Sequence, residues 1–144
     1  MLQYALLALS AVQAINSIKQ GYSQKDENEN NAALYRQKAA DIGVAKDLDF
    51  AQYERMKGQT YSTSMANIAA MGIKPTGSAL AVVLNAQNQI SIDQMISQFN
   101  IEQEKRYTIG QADAEQRAGK LAVKQGYSGA FSSILRGGVN LAMY

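Results

Sequence analysis

The chain contains neither cysteine nor histidine among its 144 residues. Without cysteine it can form neither a disulfide framework nor a thiolate metal site. Without histidine it also lacks the usual zinc ligands, the Ser-His and Cys-His nucleophile pairs, and the commonest general base near neutral pH. We therefore expect no enzymatic activity, no catalytic residue, no metal site and no cofactor.

Large side chains that would fill a compact core are scarce as well. The sequence has three Phe, no Trp and one Pro, and alanine dominates its 47% apolar fraction. Alanine favours helices because it loses no side-chain entropy there, but each alanine buries little area. The composition predicts an all-α fold of long helices that gain stability from neighbouring chains, and therefore an oligomer.

Charge of either sign is not concentrated in one block of the sequence. The formal net charge is +2, and acidic and basic residues alternate along much of the chain. A strong electrostatic grip on nucleic-acid phosphates is therefore not expected. Two carboxylate pairs, Asp47 with Asp49 and Glu102 with Glu104, are spaced two residues apart. Because this spacing points side chains apart on a helix, we interpret these pairs as a solvated face.

The N-terminal segment, residues 1–20, begins with an uncharged run that ends at Ile18. No basic residue precedes the run, as one would in a signal peptide, and polar side chains interrupt it more than a membrane span allows. At about 100° per residue the pattern predicts an amphipathic helix whose apolar face packs on a neighbouring subunit or contacts a membrane. The candidate contact residues are Leu7, Val12, Ile15 and Ile18.

Residues 21–125 are expected to form an elongated helical hairpin. A polar loop at residues 21–31 leads into a helix at about residues 28–70, because acidic groups there favour a helix start. A second helix follows at about residues 79–124. Between the two, residues 71–78 hold the only Pro and two Gly, which predicts a turn. The candidate turn residues are Gly72, Pro75, Gly77 and Ser78, with Ser78 placed to cap the second helix.

The C-terminal segment, residues 126–144, is apolar and rich in Gly and Ser, with Arg136 as its only charge. Gly126 and Gly129 would allow close backbone approach between subunits. The candidate membrane or partner contacts here are Phe131, Ile134, Leu135 and Leu141, with Tyr127 and Tyr144 as interfacial anchors if the tail meets a bilayer.

Four features follow one another between roughly residues 40 and 120. They are a helix rich in Ala, Gln and Arg, an Ala-Ala-x-Gly-Ile turn at residues 69–73, a Gly-Ser-Ala-Leu restart at residues 77–80, and a Gln/Asn-rich return helix. In these features the chain resembles the small internal virion proteins, also called internal core or ejection proteins, of short-tailed bacteriophages of the podovirus or autographivirus type. Lys74 and Pro75 depart from the more acidic or Ser-rich turn of that family.

The resemblance implies a homo-oligomer in the virion interior, held near the portal in contact with the portal and other internal virion proteins. It also implies ejection at infection and assembly of a channel across the bacterial envelope membrane, through which double-stranded DNA passes without sequence-specific binding. A Gln/Asn-rich wall of balanced charge fits such a channel because DNA would slide along it without being held. The alternative is a purely structural inner-core or portal-associated virion protein without membrane activity.

Overall fold

The computed structural model describes the backbone of residues 2–142 and the side chains of residues 9–136. Two long helices pack together: α1, Leu2–Ala70, with 69 residues, and α2, Ser78–Ala142, with 65 residues. Within residues 2–142 these two helices are the only regular elements, so the all-α expectation is confirmed.

The predicted loop at residues 21–31 is wrong, because α1 continues through this stretch without a break. Lys25 and Glu29 form an i,i+4 ion pair with 3.4 Å between Nζ and Oε1, a spacing that supports an exposed helix. Asn and Asp lower helix propensity by at most about 0.7 kcal/mol each, so polar residues facing water do not end a helix by themselves.

The C-terminal segment is helical as well, since α2 runs through residues 126–142 and does not end near Lys124. Each glycine in a helix costs about 1 kcal/mol relative to alanine. Gly126 is nevertheless buried in the helix pair, and its contact with α1 offsets that cost.

The end of α1 is shaped by Gly72, which has a φ of +66°. The Ile73 amide donates to the Ile68 carbonyl at 3.1 Å, and the Gly72 amide donates to the Ala69 carbonyl at 3.0 Å. These two bonds form a Schellman motif, in which a residue with positive φ closes the last turn of the helix. Glycine suits this position because it has no Cβ to clash in the left-handed region.

The start of α2 corrects the predicted cap. The Ala81 amide donates to the Gly77 carbonyl at 3.1 Å, so Gly77 occupies the cap position and Ser78 is the first residue of the helix. Gly77 also has a positive φ, of +61°, and Pro75 lies in the connection just before it. Glycine and proline thus reverse the chain, whereas a serine side chain was expected to start α2.

The helix contacts divide the chain into two units. Unit 1 comprises Met1–Gln37 and Thr108–Tyr144, and unit 2 comprises Lys38–Tyr107. Each unit pairs a part of α1 with a part of α2 in antiparallel orientation. The turn between the helices belongs to unit 2.

The contact between the helices buries mainly small side chains. Among residues 9–136 the buried apolar side chains are Ala14, Ala32, Ala39, Val83, Ala112, Ala122 and Ala130. Larger apolar side chains lie at the surface instead, as shown by Leu48 at 67% and Phe99 at 63% exposure. Other large apolar side chains, such as Ile68 and Leu80, are half-buried, so the contact between the helices covers large apolar residues only in part.

Candidate membrane and partner interface

Unit 1 is held together by a close approach of the two backbones. A Cβ added to Gly21 would lie 2.8 Å from the Ala122 carbonyl oxygen, and one added to Gly126 would lie 2.8 Å from the Ser17 carbonyl oxygen. Real Cβ atoms essentially never come that close to another heavy atom. We call Ser17, Gly21, Ala122 and Gly126 the small-residue seam. Only glycine fits at its two central positions.

The seam continues along α2 through buried small residues seven positions apart: Ala112, Gly119 and Gly126. A seven-residue spacing keeps one side of a helix against its partner. The prediction from the sequence relied on large apolar residues and missed this pattern. Small residues seven positions apart would have indicated it. The expected approach of Gly126 and Gly129 to another subunit is corrected, because both face Ser17 of the same chain.

Two grooves flank the seam within unit 1. The first, with a volume of about 450 Å³, is apolar and is lined by Ser10, Ala11, Ala14, Ile15, Ile18, Ala130 and Ile134. The second, of about 650 Å³, is polar and is lined by Gln13, Asn16, Ser17, Lys19, Gln20, Ser23 and Ser133. At helical spacing, Ile15 and Gln13 fall on opposite sides of the buried Ala14. Unit 1 thus presents one apolar groove and one polar groove, and Lys19 is a charged residue in the lining of the polar one.

Three of the predicted contact residues of the two terminal segments come together in unit 1. Ile15 and Ile18 from α1 share the apolar groove with Ile134 from α2. Phe131 and Leu135 directly follow the groove residues Ala130 and Ile134 in the sequence. Their side chains are 65% and 52% exposed. The remaining predicted residues are Val12, which is 53% exposed, and Leu7 and Leu141, whose side chains lie outside the described residues, as does Tyr144.

The N-terminal apolar face was expected to pack on another subunit or on a membrane. Part of that expectation is wrong. Ala14 lies on the same face as Ile18, four residues further along the helix, but it is only 5% exposed and packs against α2 of the same chain. Ile15 stays 63% exposed. The apolar surface still open to a partner is therefore formed jointly by both terminal segments.

Tyr22 and Tyr127 form an aromatic pair across the two helices. Their hydroxyl oxygens are 3.0 Å apart, and their rings meet edge to face with centroids 6.3 Å apart. The hydrogen bond with Tyr22 raises the pKa of Tyr127. No local sequence signal links two residues that are 105 positions apart, so this pair could not be predicted from the sequence.

Polar bonds join the helices in unit 2. Lys46 Nζ lies 3.1 Å from Glu102 Oε2, and the Ser97 hydroxyl donates to Asp49 Oδ2 at 2.7 Å. The hydrogen bond from Lys46 lowers the pKa of Glu102. Asp49 and Glu102 were predicted to form only a solvated face. They instead connect α1 to α2.

A third polar link lies closer to the turn. Lys57 Nζ donates to Gln94 Oε1 at 2.8 Å and to Glu54 Oε1 at 2.9 Å. The bond from Lys57 lowers the pKa of Glu54. Gln94 itself is 6% exposed, so its amide is satisfied within the helix pair. Such partnered polar groups fix which residues of the two helices face each other.

Comparisons with known protein families, with curated protein sequences and with solved structures found no match. Within the part of the chain that the structure describes, neither helix contains a stretch that is both long and apolar enough to cross a membrane. The fold and the site define the protein as an all-α pair of long helices, whose buried apolar side chains are mostly alanines and whose surface exposes many large apolar residues.

Proposed function

We propose that the protein is a phage internal virion protein, stored in the capsid near the portal and ejected to help form a channel across the bacterial envelope for genome delivery. The resemblance over roughly residues 40–120 supports this proposal. The observation that carries it is the distribution of apolar side chains, since the fully buried ones are mostly alanines and many of the large ones are exposed.

Exposed apolar side chains in unit 2 support assembly with other protein chains. Leu48, Met95 and Phe99 are each more than 60% exposed. Covering apolar surface is worth about 25 cal/mol per Å², and contiguous exposed patches mark interaction sites. We propose that copies of the same chain cover these residues in a homo-oligomer, with the portal and other internal virion proteins as further partners.

The construction of unit 1 supports membrane association. Helices that meet through small residues associate by van der Waals packing and do not rely on expelling water. The small-residue seam would therefore keep α1 and α2 paired when lipid replaces water around them. Ile15, Ile18 and Ile134 then provide an apolar surface for the lipid to cover.

The polar groove of unit 1 supports the channel itself. Gln13, Asn16 and Gln20 line it with uncharged groups, and Lys19 is its only charged lining residue among the described side chains. A wall of uncharged amides forms no set of phosphate contacts that would have to break for DNA to move. We propose that this side of unit 1 faces the aqueous interior of the channel.

The test adds the full chain to dye-loaded vesicles of bacterial phospholipid and measures vesicle flotation, dye release and ring formation by negative-stain electron microscopy. A unit 1 variant, Phe131→Gln with Ile134→Gln, is compared with a unit 2 variant, Phe99→Gln with Ile96→Gln. The four side chains are matched in exposure, at 65% and 55% in unit 1 and 63% and 55% in unit 2.

We expect the unmodified chain to bind vesicles, form rings and release dye. The unit 1 variant should lose vesicle binding, because it removes apolar groups that enter the lipid. The unit 2 variant should still bind vesicles but form fewer rings. Intact vesicles with the unmodified chain would contradict the channel, and equal loss of binding in both variants would contradict a membrane role specific to unit 1.

A purely structural inner-core or portal-associated role is the second candidate. It is favoured by the exposed residues of unit 2, such as Leu48 and Phe99, because contacts between proteins suffice to cover them. Binding of the chain to portal rings, without dye release from vesicles, would support this role over the channel.

A further inference from the structure

Acidic residues are absent from both ends of the sequence. Residues 1–25 and 116–144 contain no Asp or Glu, whereas residues 26–115 hold all twelve acidic residues against eight Lys and Arg. The two ends carry six cations, namely Lys19, Lys25, Arg117, Lys120, Lys124 and Arg136. Both ends belong to unit 1, which also contains Arg36 and five acidic residues, so its seven cations and five acidic groups leave a formal charge of +2.

One face of α2 orders these cations relative to apolar residues. Spacings of three and four residues alternate along it through Arg117, Lys120, Lys124, Tyr127, Phe131 and Ile134. Residues at this spacing lie on one side of a helix. Lys120 and Lys124 are exposed, as are Phe131 and Ile134, at 65% and 55%. Along the face, cations are therefore followed by a tyrosine and then by apolar groups.

The neighbouring part of α1 repeats the same order. Ile15 and Ile18 lie with Ile134 in the apolar groove, and Tyr22 bonds to Tyr127 between that groove and the lysines. The seven steps along the helix from Ile15 to Tyr22 span about 10 Å. The apolar groups and the tyrosine are thus about two turns apart along α1.

We infer that this face, formed by Ile15, Ile18, Tyr22, Lys120, Lys124, Tyr127, Phe131 and Ile134, docks on the surface of an anionic phospholipid bilayer. The apolar groups enter the acyl boundary, the tyrosine pair lies at headgroup level, and the lysines meet lipid phosphates. The inference rests on the membrane association within the proposed function and names the lipid that unit 1 selects.

Charge complementarity argues for an anionic lipid surface. The face itself contains Lys120 and Lys124 and no acidic residue, and a negatively charged leaflet attracts exposed lysines. The phosphates of a DNA duplex would attract the same lysines. A duplex, however, offers no acyl region to cover Phe131 and Ile134, which continue the face.

The test measures co-sedimentation of the full chain with vesicles of phosphatidylcholine alone and with vesicles of phosphatidylcholine mixed with phosphatidylglycerol. The double variant Lys120→Gln/Lys124→Gln is compared with Arg55→Gln/Lys74→Gln. Both remove two exposed cations, but the second pair lies in unit 2. Circular dichroism of each variant checks that the helices are intact.

We expect tighter binding to the phosphatidylglycerol vesicles, and loss of this preference at high salt because salt screens exposed charges. Each lysine near an anionic surface should strengthen binding by roughly five-fold. Lys120→Gln/Lys124→Gln should therefore weaken that binding by about thirty-fold. Its binding to phosphatidylcholine alone should not change. Arg55→Gln/Lys74→Gln should behave like the unmodified chain on both kinds of vesicle.

The contrary outcomes separate this inference from the proposed function. Equal binding to both vesicles, insensitive to salt and to the lysine changes, overturns the selection of anionic lipid and leaves membrane association standing. Absence of binding to either vesicle overturns both. Binding to duplex DNA as tight as to the vesicles, unaffected by Phe131→Gln/Ile134→Gln, would assign the face to nucleic acid and overturn the lipid.

Discussion

Gly126 lies so close to α1 that a Cβ in its place would meet the Ser17 carbonyl oxygen at 2.8 Å and the Cα of Gly21 at 3.3 Å. At this separation of the helix axes no large side chain fits between the backbones. Alanine and glycine occupy the contact, and residues such as Ile15 and Phe131 are left outside. The size of individual residues at the seam therefore decides which apolar groups are available to partners.

The substitution Gly126→Ala tests the seam. The added methyl group should push the helices apart and lower the free energy of unfolding by about 1–3 kcal/mol, the usual cost of overpacking. This loss should exceed the gain of about 1 kcal/mol in helix propensity. Urea unfolding followed by circular dichroism measures the difference.

Gly110→Ala is the matched control on the same helix. No atom lies within 4 Å of a Cβ added there, so only the propensity gain applies, and the variant should be more stable by up to about 1 kcal/mol. If Gly126→Ala raised stability as much as Gly110→Ala does, the close approach at the seam would be refuted.

At the scale of the elements, α1 and α2 are joined differently in the two units. Unit 1 combines backbone approach at glycine with the hydrogen bond between Tyr22 and Tyr127, whereas unit 2 has polar links such as Lys46 to Glu102 and Ser97 to Asp49. Small residues allow the helices to meet closely, and directional bonds between long side chains specify which residues face each other.

The pH dependence of stability tests the link between Lys46 and Glu102. Its hydrogen bond lowers the pKa of Glu102 in the folded chain, so its contribution is present above the unfolded value of about 4.3 and is lost as pH falls through the lower folded value. The urea midpoint of the unmodified chain should therefore fall on acidification below that value.

Glu102→Gln is the comparison for this experiment. The variant should be less stable at neutral pH and should lose less stability on acidification, because the glutamine amide does not titrate. Some acid sensitivity should persist, since Lys57 lowers the pKa of Glu54 in the same unit. Identical acid profiles for the variant and the unmodified chain would rule out a stabilising role for the Lys46 bond.

At the scale of the whole molecule, two helices with an alanine-rich contact bury little apolar area per residue. Small proteins with little buried area depend on further association for their stability. The proposed homo-oligomer supplies that burial, and the same exposed surfaces give the proposed channel its contacts between subunits.

Association should therefore be visible in solution. Sedimentation should give a mass that is a multiple of the 15.6 kDa chain, and the thermal midpoint should rise with protein concentration, because assembly stabilises the folded state. Phe99→Gln/Ile96→Gln should reduce both effects. A 15.6 kDa species with a midpoint that does not depend on concentration would contradict the oligomer.

The helical class and the position of the turn can be predicted from the sequence alone. Alanine-rich composition and the Gly72 and Pro75 signals act locally, through backbone preferences that do not depend on distant residues. The same local reasoning failed at residues 21–31, because polarity was interpreted as a loop although a helix face exposed to water tolerates it. Local reasoning also separated the two terminal segments from the helical hairpin. In the structure, α1 and α2 run through residues 2–20 and 126–142 without a break.

Which residues meet follows from the packing of the two helices. The Tyr22 and Tyr127 pair, the link from Lys46 to Glu102, and the contact of Gly21 with Gly126 all join positions far apart in the chain. Their pairing depends on the register of α1 against α2, which is set by where glycine permits close approach and where polar side chains find partners. Register is a property of the packed helices, and neither helix encodes it alone.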